Sequence, residues 1–212
     1  MSSLIKNTIA FILYNIGIKT LEYSKINKKI ARNYIAGTHC YGAIMLALLY
    51  KYTNNMDIFN MLTHWSSGYF LFDSYFMLRF EKINSIKIGY LYHHLSAMYI
   101  LHFNPEEYFG DEMIFWGEFS NIPSYFVYHY LHQKSLLISD ISKNHDEYLK
   151  WFSIQKLLYP IIRIPIVGML AIKIWKKAPN KTPIKIVMPI YLMGVIWTLK
   201  LLKQNPKKIK IY

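Results

Sequence analysis

The chain has 212 residues, of which 53% are hydrophobic and 17% aromatic, and its mean hydropathy is positive, which exceeds a soluble composition and puts most of the chain in lipid. The formal charge of +13 would suit a nucleic-acid binder. The basic residues, however, sit in short connections and the tail, which leaves no room for a separate basic domain and argues against nucleic acid as a partner.

Seven apolar runs follow one another: Leu4 to Ile18, Tyr34 to Tyr50, Ile58 to Phe80, Ile88 to Phe103, Asp111 to His132, Tyr148 to Trp175 and Ile184 to Leu202. Several are near ~17 residues, the lower limit for a helix that spans a bilayer. The fold class read from them is all-α, a multi-pass transmembrane helix bundle. The first run is the weakest, because Lys6 and Asn7 interrupt it; it either spans or lies in the interface. No small-residue cleavage site follows it, so it is expected to be retained. The single cysteine, Cys40, allows no intrachain disulfide and no thiolate metal site, and no bound metal or cofactor is expected.

If every run spans, the connections after the first, third, fifth and last share one side. That side carries Lys25, Lys28, Lys29, Arg32, Arg79, Lys82, Lys87, Lys200 and Lys203 and is cytosolic by the positive-inside rule. The other side carries the acidic loop Asn104 to Glu112. Lys173 to Lys185 disagrees, falling on the acidic side. The ending Lys208-Ile-Lys210-Ile-Tyr212 matches the dilysine pattern of endoplasmic-reticulum membrane proteins and requires a cytosolic C-terminus. Asn180-Lys181-Thr182 is a glycosylation sequon weakened by Pro183.

Ionisable groups at bilayer depth are costly unless paired, wetted or used. At ~1.5 Å per residue, His39 and His93 lie about 8 Å and Asp73 about 10 Å from the basic ends of their runs, so all three share one level. His129 is expected near it, making a cavity that faces the cytosol. On the fifth run Glu118, Asn121, Tyr125, His129 and His132 recur every three or four residues and share a helical face. Glu118 and Arg163 are expected as an ion pair, and Pro160 and Pro165 as the cause of a kink that frees carbonyls toward a cavity. His93 and His94 point ~100° apart, so one at most faces a cavity squarely. Ser96, one turn after His93, offers a hydroxyl on the same face. Di-iron chemistry is rejected, since the chain has eight histidines and no HxxxH or HxxHH box.

These residues resemble a TLC domain, the six-helix membrane domain of ceramide synthases and their relatives. The likeness covers residues 33–204 and rests on Thr38-His39, Gly68-Tyr-Phe-Leu-Phe-Asp73, Tyr92-His-His-Leu-Ser96, Gly117-Glu-Phe-Ser-Asn-Ile-Pro123 and Arg163. It divides the chain into an N-terminal apolar helix and basic loop (1–32), a six-helix TLC core (33–204) and a basic cytosolic tail (205–212). The resemblance implies a lipid cavity, with acyl-CoA as co-substrate and His93 and His94 as acid and base supported by Asp73. His39, Ser96, Glu118, Asn121, Tyr125, His129 and Arg163 would line that cavity. Where ceramide synthases carry a further His-Asp pair, this chain has Ser120-Asn121. In that respect it is similar to the non-synthase branch, which acts on membrane lipid composition, as lipid sensors or as cargo factors. Two hypotheses result: N-acyl transfer from coenzyme A to a sphingoid-like amine, or a non-enzymatic lipid binder in which the same residues form a structural network. A solute transporter is the third, and no pair of interrupted helices in matching halves supports it. Membrane lipids are the expected partners, and assembly with itself or another chain stays open.

Overall fold

The computed structural model describes residues 3–102, 109–132, 138–177 and 180–205, with side chains from 144 onward in the third segment. Glu106 and Glu107 of the acidic loop and Lys207, Lys208 and Lys210 of the tail lie outside them. The described residues are helical: α1 (Ser3–Tyr23), α2 (Lys28–Thr53), α3 (Met56–Phe80), α4 (Ser85–His102), α5 (Gly110–His132), α6 (Ile138–Ile161), a π-helical turn (Ile162–Ile166), α7 (Val167–Lys177) and α8 (Thr182–Lys203). The described part of every apolar run falls in a helix. The sixth run is one long helix, α6 to α7, with the π turn inside it.

Polar residues set the boundaries. Asn27 and Asn55 cap α2 and α3 by accepting from the N–H of Lys29 and Asp57, and Asn54 takes a left-handed conformation (φ 51°) that turns the chain between them. Because Asn27 is the cap, α2 begins two turns before the apolar run at Tyr34, and the boundary drawn after residue 32 falls inside a helix.

Neighbouring helices close a ring in the order α2, α3, α4, α8, α6–α7, α5 and back to α2. The first helix lies outside it, packed on α3 and α2. At Gly68 the contact is intimate, since a Cβ there would stand 2.3 Å from Ala10 Cβ and 2.9 Å from the α1 backbone. Tyr14 of α1 then reaches Trp65, Tyr69 and Phe72 with ring centroids 5.0–6.0 Å apart. The weakest run in the sequence is therefore an integral part of the core.

Polar side chains are buried among the apolar core residues of this bundle, while many large apolar side chains are exposed. His39, Ser66, Ser67, Asp73, His94, Glu118 and Thr198 are buried, while Leu4, Ile16, Leu78, Leu95, Leu157, Met169, Leu192 and Ile196 are exposed. A soluble protein rarely presents so much contiguous apolar surface. Two helical stretches, Asn144–Lys177 and Thr182–Lys203, are long and apolar enough to cross a membrane. The other helices carry more polar side chains, of which His39, Ser66, Ser67, Asp73, His94 and Glu118 are buried.

Charges separate to the two ends of the ring. Lys28 pairs with Glu22 and lies over Phe80, Arg32 pairs with Glu81, and Lys87 pairs with Glu81, so the basic connections form one end. At the other end Glu112 lies 4.0 Å from Lys51 and 3.8 Å from Lys173. The Lys173–Lys185 segment thus belongs to the acidic end, where Glu112 offsets part of its charge.

Candidate functional site

The adjacent histidines on α4 divide as their ~100° separation requires. His94 turns to α3, with Nδ1 3.1 Å from Ser74 Oγ, Nε2 3.7 Å from Asp73 Oδ2, and its ring stacked on Phe70. Asp73 is held by both prongs of Arg32, Nε donating to Oδ1 at 2.6 Å and Nη2 to Oδ2 at 2.9 Å. The third guanidinium nitrogen, Nη1, donates to Glu81 at 2.6 Å. A continuous polar column therefore joins His94 to the basic end. Arg32, expected among the loop charges, is a helical residue seven positions before His39 and on the same face, a spacing visible in the sequence.

His93 points the other way, into a cavity within the ring. Its Nδ1 is buried and without a hydrogen-bond partner. Phe70, Ala97, Leu101, Ile114, Val167 and Val187 supply apolar walls, and Glu118, Asn121 and Arg163 join His93 at the polar end. The cavity offers about 90 Å³ to the centres of water-sized spheres. The space is small for its length, since its lining extends over several turns of α5. Along α5 its lining runs from Asn121 to Gly110, a rise of roughly 16 Å, about half the ~30 Å hydrocarbon thickness of a bilayer. Met188, 43% exposed, belongs to both the cavity wall and the outer surface, so α8 is a thin part of the enclosure.

This geometry corrects the expected direction of the cavity. From His93 it extends toward the Gly110 end of α5 and the α7–α8 connection, away from the basic end. The Arg32–Asp73–His94 column fills the basic half. Depth counted from the ends of the apolar runs had placed the open space on the wrong side, because helices continue past those runs.

The remaining candidates distribute as follows. His39 is fully buried, stacked on Tyr69 with centroids 4.0 Å apart, and its Nδ1 is 3.9 Å from Glu118 Oε1, yet neither ring nitrogen is hydrogen-bonded. Glu118 accepts from Tyr125 at 3.3 Å. Arg163 does not pair with Glu118 as expected. It donates from Nε to Ser120 at 2.8 Å and from Nη2 to the Gly117 carbonyl and to Asn121, at 3.0 and 3.2 Å. The reason is local: Val167 N–H reaches back five residues to Ile162 in the π turn, Pro165 has no N–H to give, and Arg163 is thereby set against the Gly117 turn. The Ile164 carbonyl, which the Val167 N–H also reaches, accepts from Tyr191 of α8 at 3.2 Å.

His129 lies beside Tyr34 of α2, 3.3 Å from its hydroxyl, and His132 bonds the carbonyl of Tyr128 in its own helix. Ser96 is buried. The cavity wall includes His93, Glu118, Asn121 and Arg163 and does not include His39, Asp73, His94, Ser96, Tyr125 or His129. Among the described residues no group of three His, Cys, Asp or Glu is arranged to hold a metal ion. The chain matches no protein-family model, no curated protein and no solved structure.

Proposed function

We propose that this is a multi-pass membrane protein of the TLC type, resident in the endoplasmic reticulum with a cytosolic C-terminus, that holds the acyl chain of a lipid inside its helix ring and acts in lipid metabolism or homeostasis. The observation that carries the reading is His93, whose unpartnered Nδ1 stands with Asn121 and Arg163 at the inner end of a narrow apolar cavity. Arg163 Nη1 has no hydrogen bond among the described residues, so the polar end offers a donor to an acyl carbonyl or carboxylate. The exposed apolar side chains, the buried polar ones and the ring of six helices with one outside it support the membrane and TLC parts of the proposal.

A second reading is favoured by the same histidine. In N-acyl transfer the amine nitrogen attacks the thioester carbonyl of acyl-CoA, the carbon–sulfur bond breaks, and the proton lost by nitrogen goes to the departing thiolate. His93 would carry that proton, with Arg163 and Asn121 toward the oxyanion. His94, Asp73 and Arg32 would fix the helix register behind it.

The test is an acyl-transfer assay on membranes from cells lacking their own ceramide synthases, with wild type and His93→Ala at matched expression, followed by analysis of lipid retained on the purified chain. Retained acyl lipid without product supports lipid holding alone. New N-acylated lipid that disappears in the variant supports transfer, and neither product nor retained lipid overturns both.

A further inference from the structure

A second feature lies on the outside of the ring, between α1 and α3 at the acidic end. It is an open groove of about 360 Å³ that shares no lining residue with the internal cavity. Its polar lining is Lys6, Asp57, Asn60 and His64. We propose that this groove binds one phosphatidylethanolamine molecule from the surrounding leaflet, a proposal that rests on the membrane reading given above but not on the internal cavity.

The argument is one of order along the helices. Asp57 stands in the first turn of α3, and Asn60 follows one turn in; both are exposed. His64 lies two turns in, about 10 Å from Asp57, at the level of Lys6 in the adjoining α1. Deeper still the walls are Ile9 and Leu13, with Met61, 60% exposed, on the flank. Passing inward the groove thus offers an anion, a cation and then apolar surface. A phospholipid presents ammonium, phosphate and acyl chains in the same order.

Neither charge is spent elsewhere. Lys6 and Asp57 have no ion-pair partner among the described residues, since the recorded pairs involve other groups. His64 is held in place: its Nδ1 donates to Asn7 Oδ1 at 2.6 Å, and the Asn7 amide is 3.3 Å from His102, itself 3.1 Å from Ser67. With Nδ1 donating, His64 Nε2 is an acceptor, so the phosphate contact falls to Lys6. Lys6 reaches outward from α1 and meets the phosphate as a point charge.

The headgroup is ethanolamine rather than choline because of what surrounds the anion. The Asp57 carboxylate and the Asn60 carbonyl accept hydrogen bonds, and a primary ammonium supplies N–H donors where a trimethylammonium has none. Quaternary ammonium groups are recognised by aromatic faces. The one aromatic residue lining the groove, Trp65, is at its apolar end, with its indole N–H bonded to the His39 carbonyl.

The experiment uses the full chain, incorporated into nanodiscs of equal phosphatidylethanolamine, phosphatidylcholine and phosphatidylglycerol, with retained lipid read by native mass spectrometry. Wild type is expected to retain phosphatidylethanolamine over phosphatidylcholine by about tenfold, the factor that one charge-assisted contact provides. The preference should fall stepwise for the mono-, di- and trimethylated headgroups. Asp57→Asn should abolish the preference, and Lys6→Ala should lower retention of all phospholipids at this site. Both side chains are at the surface, so the fold is expected to persist, checked by an unchanged melting temperature. Equal retention of the three lipids, a preference for phosphatidylglycerol, or a preference untouched by Asp57→Asn overturns the proposal. A chain that fails to enter nanodiscs overturns this proposal and the membrane reading together, whereas entry with no retained phosphatidylethanolamine overturns this one alone.

Discussion

Arg32 and Asp73, 41 residues apart in sequence, meet side on through two hydrogen bonds of 2.6 and 2.9 Å, and this pair ties α2 to α3 directly beneath His94. The Asp73 side chain is 8% exposed and that of Arg32 24%, so each charge depends on the other for solvation. Removing one partner strands its neighbour. Arg32→Ala or Asp73→Ala is expected to cost about 3 kcal/mol, and the double apolar variant Arg32→Met/Asp73→Leu much less than the sum. Arg32→Lys keeps charge but loses the planar fork, so it should fall between wild type and alanine. Unfolding in detergent micelles reads all four, and additive losses would contradict the pairing.

His39 provides a different contrast. It is fully buried with both ring nitrogens unbonded, and its ring stacks on Tyr69. His39→Phe keeps the stack and removes two unsatisfied polar atoms. The expected result is unchanged or raised stability, by up to about 1 kcal/mol, in the same unfolding measurement. A large loss would mean that His39 is bridged to Glu118 through a group that phenylalanine cannot replace.

Two glycines separate close approach from helix propensity. Gly68→Ala would drive a methyl group against the α1 backbone 2.9 Å away, and should destabilise by about 2 kcal/mol while loosening α1 to proteolysis. Gly37→Ala meets nothing within 4 Å and should stabilise by about 0.5–1 kcal/mol through helix propensity alone. Similar effects at the two positions would remove the case for α1 as part of the core.

These contrasts also mark what was legible in the sequence. Helices were, because apolar runs near membrane-spanning length dominate the chain. The split between His93 and His94 was, because adjacent helical residues cannot share a direction. The column through Arg32 was missed because Lys28, Lys29 and Arg32 read as one basic loop, whereas the cap at Asn27 puts all three in α2. The Glu118–Arg163 pairing failed for a reason in the backbone: a π turn moves Arg163 onto Ser120 and Asn121, and periodicity of 3.6 does not foresee an inserted residue. Asn7 looked like an interruption of the first run, yet it bonds His64 and His102 on two other helices. Long-range partners of that kind are set by packing, which one-dimensional spacing does not encode.

The central claim is that an acyl chain lies inside the ring, and the most direct measurement is photo-crosslinking with a fatty acid that carries a diazirine at its chain end, followed by mapping of the modified residues. Gly117 lines the cavity, and a Cβ there would meet nothing within 4 Å, so Gly117→Leu starts its side chain in open space and occupies part of the cavity. The account predicts adducts on cavity-facing residues such as Leu101, Ile114 and Val187, lost in Gly117→Leu at an unchanged melting temperature. Adducts confined to outward residues such as Leu95 and Leu192, and indifferent to Gly117→Leu, would contradict it.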